Sequence, residues 1–183
     1  LETGLKNMSI DLALGYTDRM GLRDVKLNAW PQYVEYYFLL RRAATPHAVE
    51  LQIGLPLRWR DAAALPLCLL SPDMHNRTVV DAAFITAGTP VKPAIETNSI
   101  LTLALSVVAG GVCSIMPGAL VGAVRGYREL EALPLMEPEI KTAIGFMSNG
   151  NVGASRALEA ALVLARDAVW LRHAAANSGL MLA

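Results

Sequence analysis

At 183 residues the chain is long enough for one domain or two small lobes, and 54% apolar against 17% charged residues excludes a disordered tail. Sixteen Lys and Arg balance sixteen Asp and Glu, so the formal net charge is zero. A segment that gripped nucleic acid by itself would carry a basic excess, so any contact with DNA falls to residues outside this stretch.

In chain order, LETGLKN reads as a helix end and a turn, and the chain opens on Leu1, so a fragment of a longer protein is expected. Residues 9–14 form a short apolar run, a buried strand. Residues 25–30 and 34–40 read as two β-branched and aromatic strands with Pro31 between them. Residues 58–64 make a short helix, and 65–70 (LPLCLL) a continuous apolar strand of the kind buried on both faces. Over 73–87, Val79, Val80, Ala83, Phe84 and Ala87 recur at helical spacing, with Gly88 at the stop. A strand at 91–95 precedes a helix that Asn98 caps and that runs to Ala109. Strand 112–116, a short helix to Val124, and strands at 129–135 and 140–147 follow. Ser155 then caps one long helix to about Ala174. The alternation of strand and helix through 65–124 predicts a parallel α/β sheet.

Residues 100–124 carry no charge over a length able to span a bilayer. Gly110-Gly111 and Pro117-Gly118 cut that run where a helix–strand–helix needs them, so no membrane span is expected. Cys68 and Cys113 sit in apolar strands and read as buried thiols of a reducing compartment, the alternative being a disulfide or redox pair. No Cys or His spacing signals a metal, and no cofactor is expected. His47, His75 and His173 are scattered, and no glycine-rich phosphate loop is present. Gly110-Gly111 follows a helix, the wrong order for a dinucleotide site. An enzyme is therefore not expected.

Two segments have the logic of a binding site. Residues 71–77 (SPDMHNR) and 96–99 (ETNS) each join a strand to a helix. Ligands of an open α/β sheet collect at the carboxyl ends of strands, where helix N-termini offer free N–H groups to an anion. Ser71, Thr97, Asn98 and Ser99 add neutral hydrogen-bonding partners suited to a small carboxylate or inorganic anion. His75, Met116 and Pro117 stand at the same kind of junction, the last two as cleft wall. Each has a plainer role: Asn98 or Ser99 as a helix cap, Ser71 as a turn, His75 as structural. Arg77 reads as a surface or ion-pair residue, Asp81 as solvated and Glu96 as a strand-end contact.

LETGLKNMSIDLALGY resembles the stretch of LysR-type transcription regulators in which a helix ends and a strand of the form G-x-L-D-L-A-I begins. Pro66-Leu67, Ser71, Asn76-Arg77, Asp81, Ala83-Phe84 and Gly88 are similar to the family's entry into its second lobe. Glu96 to Ser99, Val108, Gly110-Gly111, Ile115 and Met116-Pro117 resemble its E-x-x-S…V-x-x-G-x-G-x-x-x-x-P pattern. The resemblance implies a two-lobed α/β fold like the type II periplasmic binding proteins, with a small effector in a cleft between lobes. Residues 1–65 and 136–183 would form lobe I, its first strand and helix missing, and 66–135 lobe II. It further implies a cytoplasmic homodimer or homotetramer whose promoter contacts come from a helix-turn-helix absent from this chain. The alternative is a transporter's solute-binding protein with the same fold.

Overall fold

The computed structural model describes residues 1–18, 27–150, 153, 155–176 and 178. Residues 25 and 26, the start of one expected strand, lie outside them. The chain divides into two compact units, Leu1–Glu35 with Lys141–Leu180, and Tyr36–Ile140.

In the first unit, helix α1 (Glu2–Lys6) leads into strand β1 (Ala13–Tyr16). β1 starts later than its apolar run because Ser9 is held in a turn, its N–H and hydroxyl both donating to Asn7 Oδ1. β1 pairs antiparallel with β9 (Lys141–Asn149), from Ala13 opposite Met147 to Tyr16 opposite Ile144. The first part of β2 (Leu27–Arg42) adjoins β9. β2 is one strand, not the two expected on either side of Pro31, since proline's φ suits extended backbone and costs a strand only one N–H. Leu5, Ala13 and Met147 form the small core.

The expected single helix after Ser155 is instead two, α6 (Arg156–Ala165) and α7 (Ala168–Ala176). Asp167 divides them: its Oδ1 accepts from the N–H groups of Val169 and Trp170, both at 2.9 Å, the competition with helix bonding that short polar side chains offer. Gln32 ties both helices to β2. Its amide donates to the Ala165 carbonyl at 3.0 Å and its oxygen accepts from Trp170 Nε1.

In the second unit the rest of β2 pairs antiparallel with β7 (Cys113–Pro117) and with β8 (Leu130–Met136). Parallel to β7 lies β5 (Leu67–Leu70), and parallel to β5 lies β6 (Ile95–Thr97). The short strands β3 (Gln52–Ile53) and β4 (Leu57–Arg58), unmarked by any periodicity, pair with β8. Helices α2 (Trp59–Ala62) and α3 (His75–Thr86) contribute to one core, α4 (Ile100–Ala109) and α5 (Gly118–Ala123) to the other. Alternate strand residues serve the two cores: Tyr37, Leu39, Leu67, Leu69 and Ile115 one, Phe38, Leu40, Leu70 and Met116 the other. Burial on both faces explains the unbroken apolar runs YYFLL and LCLL. Among the described residues no helix is long and apolar enough to cross a membrane.

Trp59 anchors the first of these cores, with Phe84 edge-on at 5.0 Å between ring centroids and its indole N–H donating to the Pro138 carbonyl at 3.0 Å. Phe84→Ala is expected to lower unfolding free energy by about 3–5 kcal/mol in denaturant titrations. A loss no larger than that of the exposed Val163→Ala would contradict this packing.

Glu35, buried in β2, has its carboxyl pushed up by burial from the ordinary 4.5 to about 7. A raised folded value means that the folded state holds the proton longer. The group's stabilisation is therefore complete below pH 4.5 and lost as pH rises to about 7, a fall of about 3 kcal/mol. Glu35→Gln should flatten stability across that window; an unchanged pH profile would refute the burial.

Candidate functional site

The carboxyl edge of the β5–β6–β7 sheet gathers the candidate residues of the second unit. The N–H of Ser71, just past β5, donates to the Thr97 carbonyl at the end of β6, 2.9 Å away. Thr97 Oγ1 in turn accepts from the Ser99 N–H at 3.1 Å, bending the chain into α4. Ser99 Oγ accepts from the Thr102 N–H at 3.2 Å. Ser99, not Asn98, is thus the helix cap: the Thr97 turn moves the cap one residue on and leaves Asn98 exposed. β6 also runs from Ile95 to Thr97 rather than over 91–95, because its pairing with Cys68 to Leu70 sets its extent.

His75 opens α3, which has no side-chain cap. Close by, Ser71 Oγ and Asn76 Nδ2 are buried with no hydrogen-bond partner among the described residues. A buried unmet polar atom costs about 1–3 kcal/mol, so two in one junction mark a place where a further partner would be welcome. Asn76 lies in the segment 71–77 singled out above but is not among its named candidates, since a polar residue in a first helical turn looks solvated. Met116 and Pro117 end β7 and are buried; Met116 is 1% exposed and packs in the α4–α5 core, leaving only its backbone to a ligand.

Arg77 braces this edge. It is 7% exposed, so of the surface and ion-pair alternatives it takes the ion pair. Its Nη1 donates to the Leu70 carbonyl and to Glu96 Oε1, each at 2.7 Å, and its Nε to Asp81 Oδ1 at 2.8 Å. Burial pulls its pKa down, but the bonds from Glu96 and Asp81 and their charges together outweigh that and hold it above the ordinary value. One guanidinium thus joins β5, β6 and α3. Asp81, expected in solvent, is half-exposed and committed to this pair.

Among the described residues, three cavities each lie within one unit. The largest, about 470 Å³, is lined by Tyr36 to Phe38, Pro56, Pro134 to Glu137 and Glu139. One of about 220 Å³ involves Arg58, Arg60, Thr86 and Glu137, and one of about 90 Å³ Asn149 and Ser155. None of the three is lined by Ser71, His75, Thr97, Asn98 or Ser99. Cys68 and Cys113 are both unbridged, and burial pushes both thiols up, Arg41 partly opposing this at Cys113. Among the described residues no group of His, Cys, Asp or Glu could hold a metal.

The family model of the LysR substrate binding domain matches residues 1–170. The chain belongs to this family. As a LysR-type domain it has the two-lobed architecture of periplasmic binding proteins, and its relatives are transcription regulators, generally not enzymes. A mutant of Corynebacterium glutamicum OxyR aligns with TM-score 0.72 and 16% identity, covering 98% of this chain and 52% of that one, so the chain spans about half its length. The Synechocystis PCC6803 CcmR regulatory domain in complex with 2-PG gives 0.71 and 16%, over 98% and 78% of the two chains. Full-length CbnR with its target DNA gives 0.68 and 17%, over 94% and 55%. These likenesses establish the fold. No curated protein matches the sequence significantly.

Arg77→Lys keeps the charge but loses the fork that reaches three acceptors. It should destabilise this LysR-type domain by roughly 1.5–3 kcal/mol in denaturant titrations. An unaltered midpoint would mean that the bracing is not structural.

Proposed function

We propose that the chain is the effector-sensing part of a DNA-binding transcription regulator and that its effector is a small carboxylate or inorganic anion. The observation that carries this is the convergence at one sheet edge of Ser71, Thr97, Asn98 and Ser99 with the start of α3 and two unmet polar atoms. Neutral donors and helix N-termini favour an anion without a counter-charge. Glu96, in β6, is engaged by Arg77, which lowers its cost to an anionic ligand. His75 lies within the same junction, and Met116-Pro117 end β7, the strand that runs parallel to β5.

In this reading the protein works as a cytoplasmic homodimer or homotetramer, with DNA bound by a region outside residues 1–183. CcmR in complex with 2-PG and CbnR with target DNA support the two halves of the proposal by likeness. The family match favours the regulator over a transporter's solute-binding protein.

Thr97 Oγ1 accepts from Ser99, which leaves its own O–H to donate to an anion. Calorimetric titration with a panel of small mono- and dicarboxylates and inorganic anions identifies the ligand. Thr97→Val should then weaken its binding by roughly 10–150-fold, the equivalent of one hydrogen bond to a charged group, while Thr97→Ser stays near the parent. Equal affinity in a folded Thr97→Val protein, or no anion bound at all, would remove this assignment.

A further inference from the structure

The largest described cavity owes its existence to a parting of strands. The β2–β8 ladder runs from Arg42 opposite Leu130 to Phe38 opposite Pro134. Pro134 has no N–H to offer, and from there the strands take different partners. β2 stays with β7, Tyr37 opposite Pro117. β8 follows β4, Leu57 opposite Leu135 and Arg58 opposite Met136. β3 takes the edge of β8 turned away from β2, because Glu131 and Ala132 pair with β2 and β3 at once, and β4 follows it along β8 after only residues 54–56. The other edge of Leu135 and Met136 therefore faces a wedge of about 470 Å³, with Tyr36 to Phe38 on the far wall and Pro56 beside it.

That volume falls within the roughly 300–1,000 Å³ of small-molecule sites. Its walls are aromatic, proline and aliphatic, and Met136 is 39% exposed beside it. Among the described residues, the charged ones of its lining are two acids, Glu137 and Glu139. Glu137 meets Arg58 at 3.3 Å, with the two side chains 59% and 57% exposed. Such exposed pairs contribute little, so a ligand cation can take the place of Arg58. The strand edge of Leu135 and Met136 adds backbone groups for hydrogen bonds.

We propose that this wedge is a second small-molecule site, for a compact aromatic or aliphatic compound bearing an ammonium group. It shares no lining residue with the anion site proposed above and calls for the opposite charge.

Titration calorimetry on the full chain with 2-phenylethylammonium and its near-isosteric acid 3-phenylpropionate tests this. The amine should bind saturably and at least about tenfold more tightly than the acid. Met136→Trp, filling the wedge from an exposed position, should abolish that binding, with Pro56→Trp as a second filler should the first not fold. Glu137→Gln combined with Glu139→Gln should bring the amine and acid affinities together. Thr97→Val should leave amine binding unchanged, which separates this site from the anion site. No saturable amine binding, equal affinity for the acid, or parent-like binding in a folded filled variant overturns the proposal.

Discussion

A guanidinium shut away from water must meet acceptors, and Arg77 does so through Nε and Nη1 with the last carbonyl of β5, the acid of β6 and an acid one turn along its own helix. Without it, the ends of two parallel strands and the start of α3 would rest on the ladder alone. The strand-end loops that gather Ser71, Thr97 and Ser99 hang from those ends. The geometry of the candidate site is thus downstream of one buried charge, and the charge is tolerable only because the folded edge supplies its partners. Both acids reach solvent, which limits the desolvation penalty to one side of the pair.

The same sheet shows why some of the fold was legible. A strand covered on both faces must be apolar throughout, so LCLL and YYFLL announced themselves, and the helical stripe of Val80, Ala83 and Phe84 marked the layer above. The candidate segments were legible at the same level. Polar residues that interrupt an apolar strand–helix junction stand out at Ser71 and at Thr97 to Ser99. The burial of Arg77 was not, although an ion pair was one of its two readings, because an arginine one turn into a helix has the same local pattern whether it faces water or a strand end. Nor was the cap at Ser99: Asn98 and Ser99 are both good caps, and the choice between them rests on the Thr97 turn, a hydrogen bond that propensity does not contain.

Misread elements share a cause. Residues 155–174 have a continuous apolar stripe, and nothing in its period says that Asp167 will spend its side chain on two N–H groups and end α6. β3 and β4 are two residues each, too short to carry a period, and exist because β8 presents an edge to them. Where a partner strand or a single side-chain bond decides, periodicity is silent.

Proline makes the point most sharply, because the same residue gives opposite outcomes in two strands. Pro31 lies inside β2 without breaking it. Its neighbour β9 passes at Gly145, where a Cβ would stand 2.7 Å from the Trp30 carbonyl oxygen and 3.2 Å from Pro31 Cα. The missing side chain of Gly145 lets the strands close over the proline, so the loss is confined to one donor. Pro134 has no such compensation. It stands opposite Phe38 at the last rung of its ladder, and β8 continues by pairing on its other edge. The consequence of a proline in a sheet thus depends on its surroundings: beside Pro31 the bare Gly145 lets β9 approach, whereas beyond Pro134 β8 takes β4 as its partner.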